Sequence, residues 1–227
     1  MRVLILGASG MVGHGVLAAS LAAPDVEEVC VIVRQPLALR HPRLTQRVLP
    51  RLSDLHDDPD ALRGFDACFF CLGVSSAGMS EAAYRQLTYE LTLGIAGPLA
   101  TLNPQMCFIY VSGSGTDSSG QGRTMWARIK GQTENALLAL PFRSAYMFRP
   151  GLIRPVDGAV SKTPAYRWSY LLLAPLLPLL HRALPQAVLS TREIGEAMLQ
   201  LARAPADHRI VETGDIRRVL NTSKENP

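Results

Sequence analysis

Short, almost wholly apolar runs alternate along this chain with longer stretches in which apolar residues recur every three or four positions. Residues 3–6, 29–33, 66–72, 107–111 and 145–148 are of the first kind and read as strands buried on both faces. Helices fill the intervals. Val12, Val16, Ala19 and Ala23 mark the first. Ser80 opens a long helix with an apolar face of Ala83, Leu87, Leu91, Ile95 and Leu99, and Pro98 is expected to kink or shorten its end. A further helix spans residues 123–139, and a last one starts at the Ser190/Glu193 capping box with Ile194, Ala197, Met198 and Leu201 on one face. Residues 60–63 suggest a short helix stopped by Gly64, and disorder is expected only in the tail. Repeated β-α-β units of this kind predict an α/β fold with a doubly wound parallel sheet.

The most informative stretch follows the first strand without a spacer: Gly7-Ala8-Ser9-Gly10-Met11-Val12-Gly13. Glycines at this spacing let the backbone turn tightly, approach a pyrophosphate closely and seat the next helix on the strand, while the helix N-terminus offers unpaired N–H groups to phosphate. Set in a βαβ unit of about 30 residues, the turn predicts a Rossmann-type dinucleotide site. The residue ending the second strand selects the cofactor. An Asp or Glu there holds the ribose hydroxyls of NAD, whereas Arg34 stands here and suits the 2′-phosphate of NADP. Arg40, Arg43, Arg47 and Arg51 follow with no acidic residue between Arg34 and Arg51; for these four a solvated basic loop is the plainer reading.

Composition narrows the class. With 227 residues, 48% hydrophobic and 19% charged, the chain has enough material for one sizeable core. A net charge of +4 with basic residues scattered beyond the arginine loop predicts no nucleic-acid partner. Met1-Arg2 runs straight into the first strand, which leaves no room for a secretory leader and makes the cytoplasm the expected compartment. Cys68 and Cys71 form a C-x-x-C, but three residues apart on a strand they point to opposite faces, so neither a redox pair nor a metal site is expected. Residues 112–122 form a polar, glycine-rich loop at the carboxyl end of a strand, where open parallel sheets bind ligands.

The Gly7/Gly10/Gly13 turn, Arg34, the strand ending Cys71-Leu72-Gly73, the strand ending Val111-Ser112, Lys130-Gly131 followed by Glu134, and Phe148-Arg149-Pro150-Gly151 together resemble an atypical short-chain dehydrogenase/reductase. The likeness is to the TIP30-related, NAD-dependent epimerase/dehydratase-like subgroup, and it covers residues 1–155. It implies a Rossmann core over 1–155 and a C-terminal extension over 156–227, a small helical substrate or lid region packing on the same domain. It also implies cofactor contacts from Gly7, Ala8, Ser9, Gly10, Met11, Val12, Gly13, Arg34, Leu72, Gly73, Lys130, Pro150 and Gly151, and a small-molecule substrate.

The resemblance breaks at the chemistry. The family places a Tyr four residues before the Lys, so that the ammonium one turn away lowers the phenol pKa and the phenol trades a proton with substrate. Here Lys130 is preceded at that spacing by Trp126, whose indole N–H donates but does not titrate. The family's catalytic Ser or Thr position is Gly113, with Ser112 and Ser114 on either side. Lys130, Ser112, Ser114 and Trp126 are thus the candidate catalytic set. One reading is an NADP-dependent oxidoreductase or epimerase-like enzyme in which Tyr166, Tyr170, Ser114 or an ordered water moves the proton. The other is a non-catalytic regulator that senses NADPH. The run Trp168 to Leu180 is the most apolar in the chain, too short and too proline-interrupted to span a membrane, and suits a lid over an apolar substrate or a homodimer surface.

Overall fold

A computed structural model describes residues 1–52, 55, 62–156, 158 and 188–225. Seven parallel strands form the main sheet: β1 Arg2–Leu6, β2 Glu28–Val33, β3 Leu44–Val48, β4 Ala67–Phe70, β5 Cys107–Val111, β6 Ser144–Arg149 and β9 Ile210–Glu212. Their spatial order is β3-β2-β1-β4-β5-β6-β9. The order reverses between β1 and β4, and the crevice outside the carboxyl ends of strands at such a reversal is where open α/β sheets bind ligands. A separate parallel pair joins β7 Leu152–Arg154 to β8 Val188–Ser190.

Strand alternation splits the core into two layers. Val3, Ile5, Val31, Phe69, Ile109 and Phe148 pack on one side with residues of α1 Met11–Ala22, α5 Thr191–Arg203 and α6 Thr213–Glu225. Leu4, Leu6, Ile32, Phe70, Phe108 and Met147 pack on the other with α3 Leu91–Leu102 and α4 Met125–Leu138. The predicted doubly wound α/β sheet is therefore observed. Because β9 pairs with β6, residues 188–225 share the core of residues 1–155. Cys68 and Cys71 belong to opposite layers, and the four cysteines are unpaired.

The structure departs from the sequence reading in several places. Strands β3, β7, β8 and β9 were not expected: three are only three residues long, and β3 is a polar edge strand inside the arginine loop. The tail expected to be disordered is helical as far as Glu225, since Ile216 is fully buried and anchors α6. The long helix after Ser80 is composite. It begins as α2 Glu81–Arg85, passes through a π turn at Gln86–Glu90 and continues as α3. Its inward face is Tyr84, Thr88 and Thr92 before Ile95 and Leu99, and Leu87, expected to be buried, is 44% exposed. Steps of four overrun a 3.6-residue turn, so a series of them drifts around the helix and mislocates its early members. Half of the suggested helix at 60–63, and the whole Trp168–Leu180 run with Tyr166 and Tyr170, lie outside the described residues.

Candidate functional site

The glycine turn fits its proposed task closely. Gly7 has φ +86, and a Cβ there would lie 2.7 Å from the Cys71 carbonyl group, so the two strand ends at the topological switch touch backbone to backbone. A Cβ on Gly13 would lie 2.1 Å from the Gly7 carbonyl oxygen, so glycine is required for α1 to start this close to β1. Gly10 caps α1 without a side-chain hydrogen bond, and the first turn of the helix carries no acidic residue. Its N–H groups and positive dipole end are left for an anion.

Three adjoining cavities make one groove across the carboxyl ends of the strands. The central one, about 380 Å³, is lined by Gly7, Ser9, Gly10, Met11 and Val12 from the turn, with Leu72, Gly73, Lys130 and Pro150 across from them. At one end it meets a cavity of about 570 Å³ between Ser9, Arg34 and the segment Gln35 to Leu37. Arg34 is exposed there, with its guanidinium at the mouth of β2. At the other end lies a cavity of about 510 Å³ lined by Ser112, Gly113, Ser114, Trp126, Lys130, Gly151 and Tyr84. Ala8 is buried and faces the core, and Gly13 is spent on packing against Gly7; neither lines the groove. Of the later arginines, Arg43 is structural: it donates to the Ala23 carbonyl at 2.7 Å and to those of Leu21 and Val26, closing the end of α1.

Lys130 sits where the central and far cavities meet. Its ammonium donates to the Tyr110 hydroxyl at 3.4 Å and stands 5.1 Å over that ring. Burial of the ammonium pushes its pKa down to about 8, with Glu134 pulling the other way. Glu134 itself is fully buried and engaged by Arg149, whose Nε donates to it at 3.0 Å. Arg149 also donates to Ser118 at 2.7 Å and Glu212 at 3.2 Å, tying α4, β6, β9 and the loop after β5 together under the site.

The two candidate hydroxyls are not equivalent. Thr116 donates its proton to the Gly113 carbonyl at 2.7 Å, so the 3.0 Å contact between the Ser112 and Thr116 hydroxyls uses the proton of Ser112. Ser114 is exposed, lines the far cavity, and its hydroxyl has no bond among the described residues. Trp126 forms a wall of that cavity, its ring 3.5 Å from where a Cβ on Gly115 would be. Burial pushes Cys71 up to about 12 and Cys30 and Cys107 up to about 11, leaving these thiols protonated near neutrality. Among the described residues there is no metal-binding cluster and no helix long and apolar enough to cross a membrane.

Sequence reading missed Cys71, Val74, Ser75, Val111 and Ile153 in the central cavity and Tyr84 in the far one. The first five each lie within two residues of one that the motifs did identify. Tyr84 comes from a different element, and only the true register of α2 turns it inward.

No family model matches the chain. Solved structures give the fold. A short-chain dehydrogenase family protein of Francisella tularensis superposes with a TM-score of 0.64 at 15% identity, covering 95% of this chain and 98% of its own. The Bordetella bronchiseptica enzyme WbmF, solved with NAD+, gives 0.65 at 14% identity over 100% of this chain and 79% of its own. Curated relatives are fungal. The FMP52 protein of Eremothecium gossypii is 27% identical over 157 residues, which is 67% of this chain and 66%, just under two thirds, of that protein. The fmp52 protein of Aspergillus clavatus is 30% identical over 173 residues, 70% of this chain and 72% of that protein. These relatives are named as mitochondrial proteins, which overturns the expectation of a cytoplasmic one. Thirty per cent identity sustained over 72% of the Aspergillus protein, on a fold shared with short-chain dehydrogenases, makes this chain a member of the FMP52 family.

Proposed function

We propose that this protein is an NADP-dependent oxidoreductase of short-chain dehydrogenase/reductase type, reducing a small, apolar carbonyl compound and acting in mitochondria as its relatives' names suggest. The observation that carries the reading is the continuous groove from Arg34, past the glycine turn, to Lys130 and Ser114. Its lining residues suit a dinucleotide laid from adenosine phosphate to nicotinamide. The resemblance to the TIP30-related subgroup belongs to the same reading.

Each residue then has a task. The first-turn N–H groups of α1 bind the pyrophosphate, and the Arg34 fork pairs with the 2′-phosphate. Lys130 holds the nicotinamide ribose, with Leu72, Gly73, Pro150 and Gly151 walling the cofactor's reactive half. When bound, the cofactor supplies a hydride to the carbonyl carbon. Ser114 donates a hydrogen bond to the carbonyl oxygen, and Trp126 shields that end from water. A dinucleotide sensor without turnover is the second reading, favoured by Trp126 standing where the family's phenol belongs and by the committed proton of Ser112.

Calorimetric titration with NADPH and NADH, followed by NADPH oxidation against aliphatic and aromatic aldehydes and ketones, tests the proposal. Tight NADPH binding with turnover is expected. Tight binding with no turnover across the series would leave the sensor, and no binding would overturn both.

A further inference from the structure

We propose that the Tyr84 phenol is the proton donor to the substrate's carbonyl oxygen, supplying from α2 the group that Trp126 displaces from α4. This rests on the reductase reading above. Tyr84 is 2% exposed, yet it lines the far cavity with Ser114, Trp126 and Lys130. The other described tyrosines are placed elsewhere. Tyr110 does not line the cavity, Tyr89 sits under the Arg85 guanidinium at 4.4 Å, and Tyr146 donates to the Ala206 carbonyl on the opposite layer.

The element that carries Tyr84 is fixed against α4. Arg128 of α4 donates to Glu81 at 2.8 Å, and Arg85 of α2 donates to Gln132 at 2.7 Å, one contact on either side of Tyr84 in sequence. Ser80 caps the helix just before it, and the π turn Gln86–Glu90 starts just after. Such turns frequently mark functional sites, because the widened turn re-aims the side chains beside it. Burial above all, and then the Tyr84 phenol and Glu134, push the pKa of the Tyr110 hydroxyl up. The Tyr110 hydroxyl accepts from Lys130 at 3.4 Å. Lys130, which lines both the central and the far cavity, therefore shares the latter with Tyr84.

The step balances as a reduction. A bound dihydronicotinamide would supply the hydride for the new C–H bond and be oxidised by two electrons, the carbonyl π pair moving to oxygen. That oxygen takes the Tyr84 proton and becomes the alcohol. The phenolate left behind takes a proton back from solvent, with the Lys130 ammonium lining the same cavity.

Two variants of the full chain test this, with 4-nitrophenol, an aromatic oxyanion probe whose absorbance reports its ionisation, added to the NADP+-loaded protein. Tyr84→Phe should weaken probe binding at least ~5-fold and raise the bound probe's pKa by about one unit, while NADPH affinity and Tm stay unchanged. Placing 2,3-difluorotyrosine at position 84, which preserves shape and lowers the phenol pKa, should shift the pH dependence of probe binding and of carbonyl reduction downward by about 1–2 units. It serves equally where Tyr84→Phe fails to fold. Unchanged probe titration in both variants overturns the role of Tyr84. Carbonyl turnover that survives Tyr84→Phe overturns it while leaving the reductase reading intact. A wild type that binds NADPH but turns nothing over overturns the reductase reading instead.

Discussion

The Lys130 ammonium donates to the hydroxyl of Tyr110 at 3.4 Å, and so finds its phenol on strand β5 and not one turn earlier on its own helix. The position one turn earlier is Trp126, and the carboxylate one turn later, Glu134, is already held by Arg149. Lys130 therefore keeps its charge at the groove with no carboxylate of its own. That makes it suited to a cofactor's ribose or to proton transfer, and it has a cost that can be measured.

Replacing Lys130 by Met should stabilise the protein near neutrality. The folded pKa of about 8 lies below the ordinary 10.5, so between those values the unfolded chain binds more protons and stability rises with pH. Below about pH 8 the desolvation cost is fully present, up to about 3 kcal/mol, and it is relieved as pH climbs to 10.5. Urea unfolding of both proteins at pH 7 and pH 10 should show the advantage of Lys130→Met shrinking at the higher pH. A wild type more stable than the variant at pH 7 would show that Lys130 has a compensating partner.

Arg34→Ala should weaken NADPH by ~10- to 100-fold, the worth of a charge-assisted hydrogen bond or two, and leave NADH within about twofold. Calorimetry with both cofactors measures this directly. Equal losses for the two would take the 2′-phosphate away from Arg34.

Arg149→Met should cost about 3–5 kcal/mol, since it strands the fully buried Glu134 carboxylate. The double change Arg149→Met with Glu134→Leu should recover part of that loss. Its effect on NADPH binding should nonetheless persist, because the pair also fixes α4, and with it Lys130, against β6. Denaturant unfolding and cofactor titration on the three variants separate stability from positioning.

Gly13→Ala should destabilise by about 3 kcal/mol or more and abolish cofactor binding, as its methyl would overlap the Gly7 carbonyl oxygen. Gly214→Ala, in the first turn of α6 with nothing near its added methyl, should instead stabilise by about 0.5 kcal/mol. Thermal unfolding of the two variants, side by side, distinguishes a steric requirement from a general dislike of side chains at glycine positions.

The sequence by itself determined five of the seven strands of the sheet and the glycine turn after the first. Strands buried on both faces must be continuous apolar runs, and the turn between Gly7 and Gly13 needs its glycines at fixed spacing whatever surrounds it, so these features are written locally. Ser190 with Glu193, and Arg34 at the end of β2, were legible for the same reason. Only the tertiary structure decided the rest. The three-residue strands β7, β8 and β9 are stabilised by partners far away in the chain, and α6 by burial of Ile216, neither of which leaves a local pattern. Whether Ser112 or Ser114 can donate was settled by Thr116, four residues from Ser112 but brought to its hydroxyl only by the folded loop. Tyr84 lines the site one residue, about 100° of helix, away from the Ala83 that the leucine spacing turns inward, and it shares a cavity with Lys130 because α2 is held against α4. Spacing along one element is a property of the chain; which groups from different elements share a cavity depends on packing among all of them.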